Sequence, residues 1–165
     1  MGSNLSFTRL FGRAAPGQRV LDQVPGARGK NISTIGAISL AGVLTGLSVP
    51  GSIDGAVMLF FVEEMLSPLL KAGDVVLLDN VATHKQEEIE DLIEARGALV
   101  IFLPTYSPDL NPIENCWSKV KTMLRSLKPR TLEELLDALV AAFSSITIDT
   151  ILGWFTHCGY QAAPT

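Results

Sequence analysis

The chain has 165 residues, 47% of them hydrophobic and 18% charged, with a net charge of −4. That apolar share is enough to bury one core, and the lack of low-complexity tracts excludes an intrinsically disordered chain. Two cysteines exclude a disulfide framework and a cysteine-built zinc site.

In chain order, residues 1–30 read as a basic, irregular lead in which Arg9, Arg13, Arg19, Arg28 and Lys30 face only Asp22. Asn31 to Ser39 and Val43 to Pro50 are rich in small and β-branched residues and are separated by Leu40-Ala41-Gly42, a pattern that predicts an antiparallel hairpin. Asp54 to Leu70 predicts a helix packed through Val57, Phe60, Phe61 and Leu66. The apolar run from Ala56 to Leu70 is broken by Glu63, Glu64 and Pro68 and is too short to span a bilayer. Asp74 to Asp79 predicts a buried strand. His84 to Arg96 predicts an acidic amphipathic helix stopped by Gly97, with a strand following from Ala98 to Leu103. Asn111 to Leu127, Thr131 to Ile146 and Ile148 to Phe155 complete a helical tail, with Trp117 expected in the core. The whole, 1–165, is expected to be a single α/β domain with its sheet and two helices in 31–104 and the tail in 111–160.

The charge is uneven. Lys119, Lys121, Arg125, Lys128 and Arg130 have no acidic neighbour between positions 115 and 132, and with the five cations of the lead they make ten of the thirteen in the chain. Such runs are solvated surface in most proteins, and phosphate-contacting patches in proteins that bind nucleic acid.

The chemistry-bearing residues are two carboxylates. Asp79, followed by Asn80, closes the strand, and Glu114 lies 35 positions later (114 − 79), just past the rigid stretch Leu103-Pro-Thr-Tyr-Ser-Pro-Asp-Leu-Asn-Pro112. Each has an ordinary structural role open to it. Asp-Asn after a strand is turn chemistry. With Asn111 as N-cap and Pro112 opening the helix, Glu114 falls at N3, where a glutamate closes a capping box. Asp109 is a rival carboxylate, although Ser107-Pro108-Asp109 reads as a turn. Cys116 has no activating base near it in sequence and is not expected to be a nucleophile.

Taken together, Asp79-Asn80, His84 and the string Tyr106-Ser-Pro-Asp-Leu-Asn-Pro-Ile-Glu-Asn115 resemble the catalytic domain of DDE transposases of the mariner superfamily, in the branch carried by bacterial insertion sequences. The likeness extends from Gly2 to Cys158-Gly-Tyr160, with Thr105 standing where the family commonly has proline. It implies a ribonuclease-H-like mixed sheet flanked by helices. It also implies metal-dependent DNA cleavage and strand transfer, with Asp79 and Glu114 as catalytic metal ligands. Asn80, His84 and Asn111 would then be supporting residues, and Arg9, Arg13, Arg28, Lys30, Lys119, Lys121 and Arg125 DNA contacts.

The implied cofactor is a pair of Mg²⁺ or Mn²⁺ ions, about 3.5 to 4 Å apart in two-metal sites. The implied partners are transposon-end and target DNA, and a second copy of the chain or a full-length transposase.

In the family a first Asp closes a central strand directly ahead of the segment resembling Met1-Gly-Ser-Asn-Leu5. The expectation is therefore that this strand and its Asp lie upstream, that the isolated chain is inactive, and that it is marginal in stability or dependent on a partner segment. A non-catalytic or inhibitory remnant is the alternative. With no basic-then-apolar leader, a bacterial cytoplasmic location is expected.

Overall fold

The computed structural model describes residues 1–26, 29–80 and 87–161. Strand β1 is short, Gly2–Ser3, and pairs antiparallel with β2, Ile32–Ser39, which pairs antiparallel with β3, Gly42–Pro50. The expected hairpin is present, its turn reduced to Leu40-Ala41, with the Ser39 hydroxyl accepting from the Ala41 amide at 3.1 Å. The register steps from Ala37↔Thr45 to Ile38↔Val43, so Leu44 is an extra residue bulging from β3, while β2 keeps its alternation. Ile32 and Ile38 consequently face one side of the sheet, and Ile35 and Ala37 the other.

Helix α1, Gly55–Phe60, is capped by Asp54, whose carboxylate accepts from the Val57 amide at 3.0 Å. The helix expected to continue to Leu70 instead widens into a π-helical stretch, Phe61–Leu66, and ends in a 3₁₀ turn, Ser67–Leu69. Pro68 accounts for the difference: it has no N–H, and its ring would press on the carbonyl four residues back in regular α-helix.

Strand β4, Val75–Leu78, pairs parallel with β5, Leu99–Phe102, and helix α2, Glu87–Glu94, lies between them in sequence. Gly97, at φ +75°, makes the exit from α2; a Cβ there would stand 3.0 Å from that of Ala72. A short 3₁₀ turn, Pro108–Leu110, leads into α3, Pro112–Leu127, then α4, Leu132–Ser144, and α5, Ile148–His157. Among the described residues, no single helix is long and apolar enough to cross a membrane.

Two cores form, one against each side of the hairpin. On the first, Trp117, Val120 and Leu124 of α3 meet Leu135 and Leu139 of α4 and Ile32 of β2. On the second, Phe61, Val62 and Leu66 meet Ile89 and Ile93 of α2, Leu78 of β4, and Ile35 and Ala37 of β2. The result is a mixed α/β arrangement in which, among the described residues, the three-stranded and two-stranded sheets share a core without hydrogen bonding to each other.

Candidate active site

Asp79 directly follows β4, and Glu114 sits in the first turn of α3. Both line one cavity of about 300 Å³, together with Asn80, Asn111 and the Leu103–Pro108 loop. The loop is held at both ends. The Leu103 amide donates to the Leu78 carbonyl at 2.8 Å, and the Asn111 amide to the Pro108 carbonyl at 3.1 Å. Across the cavity, Asn80 Nδ2 donates to Thr105 Oγ1 at 3.2 Å, so Asn80 braces the loop beside the carboxylates.

The capping role open to Glu114 is not taken. Asn111 is the N-cap residue, yet its side chain makes no cap hydrogen bond, and the Glu114 amide is satisfied by the Asn111 carbonyl at 3.1 Å. The Glu114 side chain is exposed and has no hydrogen bond or ion pair to another described residue. By contrast, the Thr131 and Glu134 pair of the same chain forms a complete capping box. Asp79 is half-buried, with Oδ1 withdrawn from solvent.

Electrostatics places further groups here. Burial pushes the Met1 amino group below its ordinary value; Lys121 pushes it the same way, while Glu114 and Asp79 oppose. These four charged groups therefore share one neighbourhood, and Lys121 lies seven residues, about two helical turns, after Glu114 on the same face of α3. The other candidate carboxylates do not join the pair. Asp54 caps α1, Asp22 pairs with Lys128, and Asp109 does not line the cavity. Among the described residues no group of three His, Cys, Asp or Glu side chains is placed to hold a metal ion. His84 and Arg28 lie outside the described residues.

The basic segments meet in a way their sequence separation conceals. Arg130 donates to the Leu5 and Phe7 carbonyls at 3.1 and 2.9 Å, Arg125 lies over the Phe7 ring at 5.6 Å, Arg9 reaches Ser126, and Lys128 pairs with Asp22. Lys128 and Arg130, which the bare charge pattern groups with the phosphate contacts, thus fasten the lead segment to α3. Arg9, Arg13 and Lys30 are exposed, while Lys119, Lys121 and Arg125 are half-buried.

Sequence reasoning missed two residues that steady the site. The Tyr160 hydroxyl donates to the Leu110 carbonyl at 2.8 Å, and Asn115 Nδ2 approaches Cys158 Sγ at 3.7 Å. The end of the chain thereby ties down the loop and helix that present Glu114. Cys116 is fully buried, and desolvation pushes its thiol up to about 12, which excludes it as a nucleophile near neutral pH.

A mixed α/β frame with one carboxylate just past a strand end and another in the first turn of a helix defines the class: a domain of ribonuclease-H-like fold. The family model described as DDE superfamily endonuclease matches residues 1–136, and the chain belongs to that family. A curated relative, the Tcb2 transposase of the nematode Caenorhabditis briggsae, is 32% identical over 77 residues, covering 45% of this chain and 28% of its own length. A Mos1 transposase chain in a paired-end complex with the left transposon end superposes with a TM-score of 0.75 at 17% identity, over 96% of this chain and 49% of that one. The Mos1 catalytic domain solved with raltegravir and Mg superposes with a TM-score of 0.61 at 17% identity, over 79% and 70%.

The chain spans about half of the first solved transposase chain and under a third of the Tcb2 transposase. The expectation of a bacterial cytoplasmic setting is corrected by the curated relatives, which are transposases of the nematode Caenorhabditis briggsae.

Proposed function

We propose that this chain is the part of a transposase catalytic domain that carries two of its metal-binding carboxylates, Asp79 and Glu114, and that the complete enzyme cleaves and transfers DNA strands. The observation that carries this reading is the pairing of the two carboxylates in one cavity, with Glu114 relieved of any capping duty. The donor set fits the metal: Mg²⁺ and Mn²⁺ favour carboxylate oxygens, and Mg²⁺ is often held by one or two carboxylates plus substrate phosphates. When bound, such ions activate the attacking oxygen and neutralise the leaving one.

The chain's own residues do the rest. Asp79 and Glu114 hold the cation, Asn80 fixes the loop through Thr105, and Asn111 lines the same cavity and starts the helix that carries Glu114. Lys121 supplies a positive charge beside the carboxylates, suited to a neighbouring phosphate. Arg9, Arg13, Lys30, Lys119 and Arg125 are assigned to sequence-independent phosphate contacts that weaken as salt rises. Pairing with a second copy belongs to the same reading. Its support is the stripe Leu132, Leu136 and Val140 on α4, exposed opposite the buried Leu135, Leu139 and Ala142.

The test is Mn²⁺ binding measured by titration calorimetry on the chain and on Asp79→Ala and Glu114→Ala. Each substitution is expected to weaken binding about tenfold or more, by analogy with losses at the ligands' supporting shell. Unchanged Mn²⁺ affinity in both variants, or DNA nicking that survives either substitution, would reject the assignment.

A further inference from the structure

At the rim of the cavity stands a side chain that the metal chemistry does not use. Tyr106 is 97% exposed and lines the same cavity as Asp79 and Glu114. Its backbone is left-handed, φ +59°, a conformation that bulky residues rarely adopt and that persists only where the surroundings enforce it. The enforcement is visible. Pro104 and Pro108 flank it, the Leu103 amide is tied to Leu78, and Thr105 accepts from Asn80. Lys128, the other described non-glycine residue with positive φ, merely ends α3.

A large aromatic ring is thus held in solvent, on a stiff loop, beside two carboxylates. We infer that Tyr106 is a stacking post for an unpaired nucleobase next to the phosphate handled at Asp79 and Glu114. This inference rests on the transposase reading. Two carboxylates repel a DNA backbone until cations intervene, so a neutral ring face is the contact this rim offers to a strand, and every base has a π-face for it to meet. A base that is unpaired, as beside a strand end, is the one free to lie on such a ring.

The experiment uses the chain with a DNA duplex bearing a short single-stranded 3′ overhang, with 2-aminopurine placed at each overhang position in turn. Binding is followed by anisotropy and stacking by 2-aminopurine fluorescence. Quenching at one position is expected for the wild type, Tyr106→Phe and Tyr106→Trp. Tyr106→Ala should lose it and bind roughly five- to a hundredfold more weakly, with an unchanged melting temperature. Equal quenching in Tyr106→Ala, DNA bound without quenching at any position, or loss of quenching in Tyr106→Phe overturns the inference. So does a Tyr106→Ala change in sedimentation without a change in DNA affinity, which would assign the ring to a second copy of the chain. Mn²⁺ titration separates the two readings. Metal binding lost in Asp79→Ala while quenching depends on nothing at position 106 sinks the inference alone; absent metal binding sinks the active-site reading as well.

Discussion

Two glutamates occupy the same position of the helical N-terminus and are put to different uses. Glu134 sits three residues after Thr131; its carboxylate accepts from the Thr131 and Arg130 amides at 3.3 and 2.7 Å, and Thr131 Oγ1 accepts in return from the Glu134 amide. Glu114 sits three residues after Asn111 and makes none of these bonds. Thr131→Ala is therefore expected to cost about 1 kcal/mol of stability, while Glu114→Ala should leave the urea midpoint unchanged and weaken Mn²⁺ binding about tenfold or more. A Glu114→Ala chain destabilised as much as Thr131→Ala would show that this residue is a cap after all. The sequence pattern is alike at both sites and could not separate them, because the choice depends on whether the N-cap side chain turns back to the helix or toward the cavity.

At the scale of elements, α3 meets the hairpin through a close approach that needs glycine. A Cβ on Gly36 would stand 3.1 Å from Trp117 Cη2 and 3.3 Å from the Thr45 carbonyl oxygen, and the latter is backbone that cannot swing away. Gly36→Val is expected to cost about 1 to 3 kcal/mol through overpacking, read as a lower urea midpoint. A midpoint equal to wild type would mean that α3 can lift from β2 freely. Placing Trp117 in the core was legible from its spacing on α3, and the structure buries it against Phe143, edge to face at 6.0 Å. Its glycine seat was not legible, since the two lie on elements far apart in the chain.

Over the whole molecule, the long irregular passage between β1 and β2 is held by contacts that bridge more than a hundred positions. Arg130 grips the Leu5 and Phe7 carbonyls, and Arg125 covers Phe7. The Lys128–Asp22 pair adds less, because both side chains remain about a third exposed, 31% and 37%, and surface pairs contribute little. Arg130→Ala is expected to speed proteolysis between residues 9 and 26 with little change in melting temperature; unaltered cleavage would show that Arg130 is not the anchor. Leu10, Phe11 and Leu21 of this passage are exposed.

What the sequence determined by itself is local. The hairpin, the strand that Asp79 directly follows and the helix opening at Pro112 follow from periodicity and turn residues, and the two candidate carboxylates were picked out by the motif string, all of which act over a few neighbouring residues. The π-helical widening before Pro68 was within reach of the same reasoning, since the proline's clash is local, but its form depends on how the flanking turns pack. Only the tertiary structure decided that Glu114 faces a cavity instead of capping its helix, that Asp54 and Asp22 are occupied elsewhere, and that Tyr160 fastens the site loop. It also decided that two basic segments pack on one another. These are outcomes of long-range packing, in which side chains far apart in the chain compete for the same hydrogen bonds and volume, and no pattern along a single stretch records the result.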